Sequence, residues 1–280
     1  MEMLVSTEWL AGELGKPDLR DFDCSTFLAN EPGSKHDAFL PSRTPGARLF
    51  DIDRIADDET DLPHMVPTPA KFARMVGALG VSNDTRVVFY DQHGLRGSPR
   101  GWWMMRLFGH DRVAVLDGGL PAWVREGRPV ESGEAPAPAP ATFVPDFRAA
   151  MLAGIGDVKR IVQDGSALIL DARAKGRFDG TAPEPRAGLP SGHMPGAANV
   201  PVSEMTGPDG RAKDPATLRA IFAAAGATGG RPVVTSCGSG VTACVLAFGM
   251  VRAGLPEPAV YDGSWTEWAS RPETIKQTSA

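Results

Sequence analysis

The class of fold is indicated by one stretch, which reads Val233-Val234-Thr235-Ser236-Cys237-Gly238-Ser239-Gly240-Val241-Thr242-Ala243-Cys244. Its first two residues are valines of the kind found at the end of a buried parallel strand. The apolar residues between positions 241 and 253 recur at the spacing of a helix with an apolar face. Small residues join the two segments, so the sequence predicts a tight turn between the carboxyl end of a strand and a helix.

A cysteine lies in this turn. Gly238 and Gly240 let the backbone bend so that successive N–H groups point inward at a helix N-terminus, where they form a cradle for an anion. Such a cradle favours a thiolate, because it lowers the pKa of a cysteine from about 8.5. Most single cysteines are small buried hydrophobic residues, but those need no flanking glycines at a strand-to-helix turn. We therefore predict that Cys237 is catalytic, and that Cys24 and Cys244, which lie in or beside apolar runs, belong to the core.

The two halves of the chain are similar to each other at an offset of about 145 to 150 residues. The similarity consists of segments that match in the same order, with small drifts of the kind that loop changes cause. Ordered matches at so long a period indicate a duplicated domain rather than a solenoid. The matched pairs are 21–25 with 169–173, 44–47 with 194–197, 87–91 with 233–237, and 116–119 and Trp123 with 261–264 and Trp268.

Each copy alternates short β-rich runs with amphipathic helical runs. Residues 113–116 are predicted to form a strand, and residues 70–79 and 218–225 to form helices. This alternation is typical of an α/β fold in which helices flank a parallel sheet. A Pro-Ala segment at residues 134–141 reads as an extended linker. We accordingly divide the chain into an N-terminal domain, 1–140, and a C-terminal domain, 141–280.

Composition restricts the classes of function. A length of 280 residues suits two domains. A net charge of −5 gives no reason to expect binding to nucleic acid or to an anionic membrane. No segment reaches the roughly 20 apolar residues of a membrane span, and residues 1–15 resemble no targeting signal. The three cysteines lack the spacing of a zinc site or a disulfide framework. We expect a cytoplasmic protein with free thiols.

The loop sequence Cys-Gly-Ser-Gly-Val-Thr-Ala at 237–243 resembles the active-site loop of the rhodanese superfamily, whose members carry sulfur as a cysteine persulfide. This variant is similar to the branch that takes sulfur from 3-mercaptopyruvate. The branch that uses thiosulfate usually has Arg and Lys where this chain has Gly238 and Ser239. The resemblance covers nearly the whole chain as tandem rhodanese domains. It implies that the first domain, which has Asp91 at the position of Cys237, carries no sulfur.

The resemblance also extends to residues outside the loop. The run 171–178, followed by Pro185-Arg186, matches the mercaptopyruvate branch, in which arginines corresponding to Arg177 and Arg186 hold the carboxylate and keto oxygen of the donor. A planar guanidinium suits that task because it binds a carboxylate through two parallel hydrogen bonds. In the first domain, Asp53 and His64 match an aspartate and a histidine proposed to form a relay with the loop serine, here Ser239.

The implied reaction is a two-step sulfur transfer by covalent catalysis. Cys237 takes sulfur from 3-mercaptopyruvate, pyruvate leaves, and a thiol such as thioredoxin, or cyanide, accepts the sulfur. No metal or organic cofactor is implied, and we expect a monomer. The loop is expected to stabilise the charged sulfur through its backbone amides, with donor-binding roles for Gly238, Gly240, Val241 and Thr242. The remaining charged and imidazole side chains are expected to be structural or solvated, namely Arg173, Lys175, His193, His36, His93 and His110.

Alternative functions remain open at this stage. Thiosulfate is the second candidate donor. A phosphatase or arsenate reductase of the Cys-loop type would need an arginine after five intervening residues to bind the oxyanion, and Ala243 occupies that position. The loop is also one residue shorter than in the related phosphatases. A non-catalytic rhodanese module is disfavoured by Cys237 in the second domain, whereas Asp91 favours that role for the first.

Overall fold

The computed structural model describes residues 1–27 and 30–279, and in it the chain forms two parallel sheets of five strands each. When the strands of each half are numbered by themselves in chain order, both sheets have the order 1-5-4-2-3. The predicted α/β fold of two parallel, helix-flanked sheets is confirmed, and the matched sequence segments occupy equivalent places in the two halves.

The first half is built from strands and helices in nearly regular alternation. Its elements are β1 (Leu4–Val5), α1 (Thr7–Glu13), β2 (Leu19–Asp23), α2 (Lys35–Phe39), β3 (Arg48–Leu49), α3 (Ile52–Ile55), α4 (Pro69–Ala78), β4 (Arg86–Tyr90), α5 (Ser98–Leu107), β5 (Val113–Leu116) and α6 (Gly119–Arg125).

The second half repeats this plan with two added 3₁₀ turns, at Ala149–Met151 and Val202–Met205. Its elements are β6 (Leu152–Ala153), α7 (Ile155–Asp164), β7 (Leu168–Asp171), α8 (Lys175–Asp179), β8 (Ala198–Asn199), α9 (Pro215–Ala224), β9 (Val233–Ser236), α10 (Ala243–Arg252), β10 (Ala259–Tyr261) and α11 (Ser264–Ser270).

Helices α4 and α9 begin earlier than the apolar pattern predicts. Each starts with a proline directly after a capping residue, Thr68 or Asp214, whose side chain accepts a backbone N–H of the first turn. A proline fits the first helical position because its missing N–H would have no partner there, and the cap satisfies an otherwise free donor. The predicted strand 113–116 agrees with β5.

Helices α5 and α10 join the two halves into one core. Ala243 to Met250 are all buried in α10, because one face packs on its own sheet and another on α5. The ring of Trp102 meets the ring of Phe248 edge-on, with centroids 5.1 Å apart. A helix that is apolar on all sides is a buried helix. The contact brings the carboxyl ends of β4 and β9, and the loops that follow them, toward the junction of the two halves.

The segment between the two halves lies along the first one. Ala141 donates its N–H to the carbonyl of Gly77 at 2.8 Å, and Asp146 donates to the carbonyl of Phe108 at 2.9 Å. The amide of Val144 donates to the side chain of Asn83 at 2.8 Å. The linker is therefore held by backbone hydrogen bonds rather than free in solvent. The division of the chain near residue 140 stays a prediction.

Within the described residues, no helix combines the length and the apolar character needed to cross a membrane.

Candidate active site

Cys237 is the first residue after β9 and is 2 % exposed. Cys237 is the first residue of the loop, and Ser264 holds this loop by hydrogen bonds. The Oγ of Ser264 accepts the N–H groups of Cys237 and Gly240, each at 3.1 Å, and donates to the carbonyl of Tyr261 at 2.7 Å. Ser264 has φ +49°. Gly119 occupies the equivalent position of the first half at φ +57°. A left-handed backbone at that turn is therefore common to both halves, and only the second uses it to place a hydroxyl.

The rest of the loop leaves backbone donors unpaired. Among the described residues, no protein acceptor receives the N–H groups of Gly238, Ser239, Val241 or Thr242. Gly240 has φ +79°, and a Cβ there would lie 2.6 Å from the carbonyl oxygen of Asp262, so only glycine fits. Because its amide is bound to Ser264, Gly240 contributes through its backbone conformation. The unpaired amides are those that could stabilise a charged group at the end of the strand.

The first half shows what the same loop does with a carboxylate. Asp91 follows β4 as Cys237 follows β9, and it is fully buried. Its Oδ2 accepts the amides of Arg96 at 2.8 Å, Gly97 at 3.0 Å and Ser98 at 2.9 Å, and the Ser98 hydroxyl at 2.7 Å. The loop of this duplicated unit thus folds around a negative group. In the second half the side chain at that place is a thiol.

Arg186 is an unpaired cation beside Cys237. Within the described residues it makes no hydrogen bond or ion pair, and it is half-buried. Burial lowers the pKa of its guanidinium, with neighbouring Arg177 acting in the same direction and Cys237 opposing. A guanidinium that is partly removed from water and has no anionic partner is prepared to bind one.

Arg177 lies over the loop but already has a partner. A Cβ at Gly238 would lie 3.1 Å from its Nη2. Its Nη2 donates to Glu184 at 2.5 Å and its Nε at 3.2 Å. Glu184 also accepts Nη1 of Arg173 at 2.8 Å. Glu184 therefore orients Arg177 toward the loop and neutralises part of its charge. Nη1 of Arg177 has no hydrogen-bond partner among the described residues and could bind a ligand.

A second polar chain reaches the loop from the first half. Nδ1 of His64 is 3.0 Å from Oγ of Ser239, and Nε2 of His64 is 3.1 Å from Oδ1 of Asp53. The other oxygen of Asp53 pairs with Lys35. The hydrogen bond from His64, together with Lys35, holds the pKa of Asp53 well below its usual range. The structure thus brings together three residues that are far apart in sequence, in the geometry of a hydroxyl–imidazole–carboxylate relay.

These groups line one cavity between the two halves. It has a volume of about 50 Å³, and the first half contributes Thr26, Phe27, His64 and Arg96 to its wall. The second half contributes Arg177, Pro185, Arg186 and the loop, namely Cys237, Gly238, Ser239, Val241 and Thr242. Larger and more open depressions elsewhere on the surface contain no cysteine. Thiol, free amides and arginine converge only at this cavity among the described residues.

Other residues singled out by sequence lie in structural settings. Arg173 is buried over the ring of Trp265, 4.2 Å from its centroid, and bonded to Asp171. Lys175 is exposed and paired with Asp179. The ring of His193 stacks on Phe178 and bonds to its carbonyl at 2.9 Å.

The imidazoles outside the site have other neighbours. His36 is exposed beside Glu134, and the ring of His93 meets Phe27 edge-on. His110 is buried, and burial lowers its pKa.

The two other cysteines are buried thiols. Sγ of Cys24 donates to the carbonyl of Gly97 at 3.4 Å, and Sγ of Cys244 donates to that of Gly240 at 3.3 Å. Burial raises the pKa of Cys24 well above its usual value and that of Cys244 to about 12. All three cysteines are free. Neither Cys24 nor Cys244 lines the cavity.

Three residues that support the site carry no local motif and escaped the sequence reasoning. Ser264 could have been noticed, because the repeat places it where the first half has Gly119. Glu184 lies between the two predicted arginines, so its charge was a usable signal. Arg100, which crosses from α5 to the second half, had no signal in sequence, because only the docking of the two halves brings it near the loop.

Comparison with known proteins agrees with this arrangement. A Rhodanese-like domain profile matches twice, at residues 6–126 and 155–271. The chain belongs to the rhodanese family. A human relative named 3-mercaptopyruvate sulfurtransferase is 40 % identical over 280 residues, covering 97 % of this chain and 94 % of its own. A bovine rhodanese-family relative named thiosulfate sulfurtransferase is 42 % identical over 283 residues, with coverages of 97 % and 94 %.

A solved rhodanese-fold structure extends the comparison. The crystal structure of SseA from Escherichia coli, described as a 3-mercaptopyruvate sulfotransferase, is 34 % identical and superposes with a TM-score of 0.85, covering 95 % of this chain and 99 % of that one. The chain is a sulfurtransferase of this family. Relatives named for two different donors are about equally similar to it, so overall identity does not select the donor.

Proposed function

We propose that this sulfurtransferase takes sulfur from 3-mercaptopyruvate through a persulfide on Cys237. The observation that carries the proposal is that the guanidinium of Arg186, unpaired among the described residues, lines the same cavity as the thiol of Cys237. A donor with a carboxylate at one end and sulfur at the other would fit between the two groups. Arg177 would add a second hydrogen bond to the carboxylate or the keto oxygen.

In the first step the Cys237 thiolate attacks the sulfur of the donor. An S–S bond forms, the C–S bond breaks, and its electron pair moves into the enolate of pyruvate, which then takes a proton. Ser239, which is hydrogen-bonded to His64, would donate a hydrogen bond or a proton to the keto oxygen where this charge develops. Asp53 would hold the imidazole in orientation. The unpaired amides of Gly238, Ser239, Val241 and Thr242 would stabilise the charged sulfur.

In the second step an acceptor thiolate attacks the outer sulfur and releases Cys237. We propose a small protein dithiol such as thioredoxin as acceptor, a monomeric enzyme, and a cytoplasmic location. Three free cysteines support a reducing compartment. The narrow cavity supports an acceptor that presents its thiol on a protruding segment.

Thiosulfate is the second candidate donor. The bovine relative's name supports it, and the cavity already contains cationic side chains. The loop sequence argues against thiosulfate, because Gly238 and Ser239 supply amides and one hydroxyl but no cationic side chain beside the attacked sulfur. Thiosulfate also has no carboxylate for Arg177 and Arg186 to bind.

The test measures both donors side by side. The wild type should release pyruvate from 3-mercaptopyruvate with a higher kcat/KM than it releases sulfite from thiosulfate. With donor and no acceptor, the intact mass should rise by one sulfur atom. Cys237→Ser should lose that increment, whereas Cys24→Ser and Cys244→Ser should keep it. A persulfide on the Cys237→Ser protein, or a preference for thiosulfate, would refute the corresponding part of the proposal.

A further inference from the structure

A single buried cation connects the first half to the active-site loop of the second. Arg100 is the third residue of α5, and its side chain has no exposed area. Its Nη2 donates to the carbonyl of His64 at 2.6 Å and to Oδ1 of Asp262 at 2.7 Å. Its Nη1 donates to the carbonyl of Gly240 at 3.3 Å and lies 3.8 Å from Sγ of Cys244.

Two of these partners, His64 and Gly240, belong to the site or to its loop. Gly240 belongs to the loop that begins at Cys237. His64 is the residue whose ring meets Ser239, and its backbone has φ +64°. A non-glycine residue holds that conformation only where its surroundings impose it. The hydrogen bond from Arg100 to the carbonyl of His64 is one such constraint.

Asp262 is the counter-ion of Arg100 and also binds a second segment of the first half, at Val66. Its other oxygen, Oδ2, accepts the amide of Val66 at 2.6 Å. A buried guanidinium without an anion would be strongly unfavourable. The pair therefore fixes residues 64 and 66 against the turn that leads to Ser264. Ser264 in turn holds the amide of Cys237.

The first half repeats this aspartate but pairs it with a different cation. Asp117, the counterpart of Asp262, accepts the amide of Ala212 at 2.8 Å, as Asp262 accepts that of Val66, and its other oxygen lies 3.8 Å from Nη1 of the partly exposed Arg211. The residue of α10 that corresponds to Arg100 by position is Val245, its third residue. A fully buried arginine on the helix is therefore present beside the loop with the reactive thiol, whereas the cation beside Asp117 comes from a loop and is partly exposed.

We propose that Arg100 is a positioning residue of the active site, which holds the backbone of His64 so that its ring stays within hydrogen-bond distance of Ser239. The inference rests on the proposed role of His64 and Ser239 in the first step. Arg100 is not among the residues that line the cavity, so its effect on the reaction passes through His64.

The first measurement uses Arg100→Lys in the full-length protein. A lysine keeps the charge beside Asp262 but lacks the fork that reaches the carbonyls of His64 and Gly240 together. The kcat with 3-mercaptopyruvate should fall by about ten- to a hundredfold, the range for losing a hydrogen bond to a charged group. KM should change little, because the arginines that would bind the carboxylate are untouched. The matched control is Arg106→Lys. Arg106 is on the same helix and also bridges the two halves, through hydrogen bonds to Glu257, and the kcat of this variant should not change.

The second measurement separates positioning from general support of the fold. In a His64→Ala background, Arg100→Lys should cause no further loss of kcat, because coupled residues are not additive. Losses that multiply, or a raised KM at unchanged kcat, would overturn the inference. If Arg100→Lys does not fold, Asp262→Asn is measured in its place, with the same expected loss of kcat, and an unchanged kcat in that variant also overturns the inference. A His64→Ala variant as active as the wild type would show that the proposed relay itself is wrong. That result distinguishes failure of the proposed function from failure of the positioning role of Arg100.

Discussion

The two arginines at the cavity predict a measurable order of effects. Arg186 has no protein partner among the described residues and is half-buried. Replacing it with alanine removes a charge-assisted contact to the donor carboxylate, worth about 1.5–3 kcal/mol. Since about 1.4 kcal/mol corresponds to a factor of ten, kcat/KM with 3-mercaptopyruvate should fall roughly ten- to a hundredfold. Most of the loss should appear in KM, because the carboxylate is bound equally in the ground and transition states.

Arg177→Ala should cost at least as much, for an additional reason. Its removal leaves Glu184 with Arg173 as its remaining partner, so a buried carboxylate near the loop is less well neutralised. That charge would repel an anionic donor. Adding Glu184→Gln to Arg177→Ala should therefore recover part of the lost kcat/KM, whereas adding it to Arg186→Ala should recover less.

The assay is steady-state release of pyruvate at saturating acceptor, with each variant's fold checked by circular dichroism. The control is Lys175→Ala, which removes an exposed cation two residues from Arg177 and should leave kcat/KM unchanged. Unchanged kcat/KM in both single arginine variants would refute the assignment. A tenfold loss in the Lys175→Ala control would show that general electrostatic attraction, and not specific binding, explains the effect.

Three further outcomes are expected. Gly238→Arg combined with Ser239→Lys should raise the ratio of thiosulfate activity to mercaptopyruvate activity. The increase should be smaller at high salt, because exposed charges are screened. An unchanged ratio at low salt would indicate that the shape of the pocket, and not the charge of the loop, selects the donor. Ser264→Gly keeps a backbone that tolerates φ +49° but releases the amide of Cys237, so kcat should fall about tenfold for the lost hydrogen bonds, and full activity would contradict a role for the hydroxyl. Burial raises the pKa of Asp21 to about 6. The stability linked to its protonation is present below about pH 4 and is lost as pH rises through 6. Asp21→Asn should therefore reduce the fall in Tm between pH 5 and 7, and an equal fall in Tm in the wild type and the variant would reject this cause.

The sequence by itself determined the repeat, the fold class and the position of the thiol. These follow from local rules. Buried strands need β-branched residues, glycines mark the left-handed turns, and a strand-to-helix loop with a cysteine is recognisable wherever it occurs. The ordered matches between the halves placed Asp91 opposite Cys237, and the two strand orders agree with that pairing. The pairing of Arg177 with Arg186 was implied only by the resemblance of the run 171–178 and of Pro185-Arg186 to one branch of the family.

The tertiary structure decided everything that depends on how the two halves meet. Asp53, His64 and Ser239 belong to different halves, and no periodicity states that their side chains lie about 3 Å apart. Arg100 is an ordinary helical arginine in sequence, and only the packing of α5 on α10 makes it a buried partner of Asp262. Hydrogen bonds of this kind depend on distances between segments distant along the chain, which the shared core fixes and the order of residues does not state.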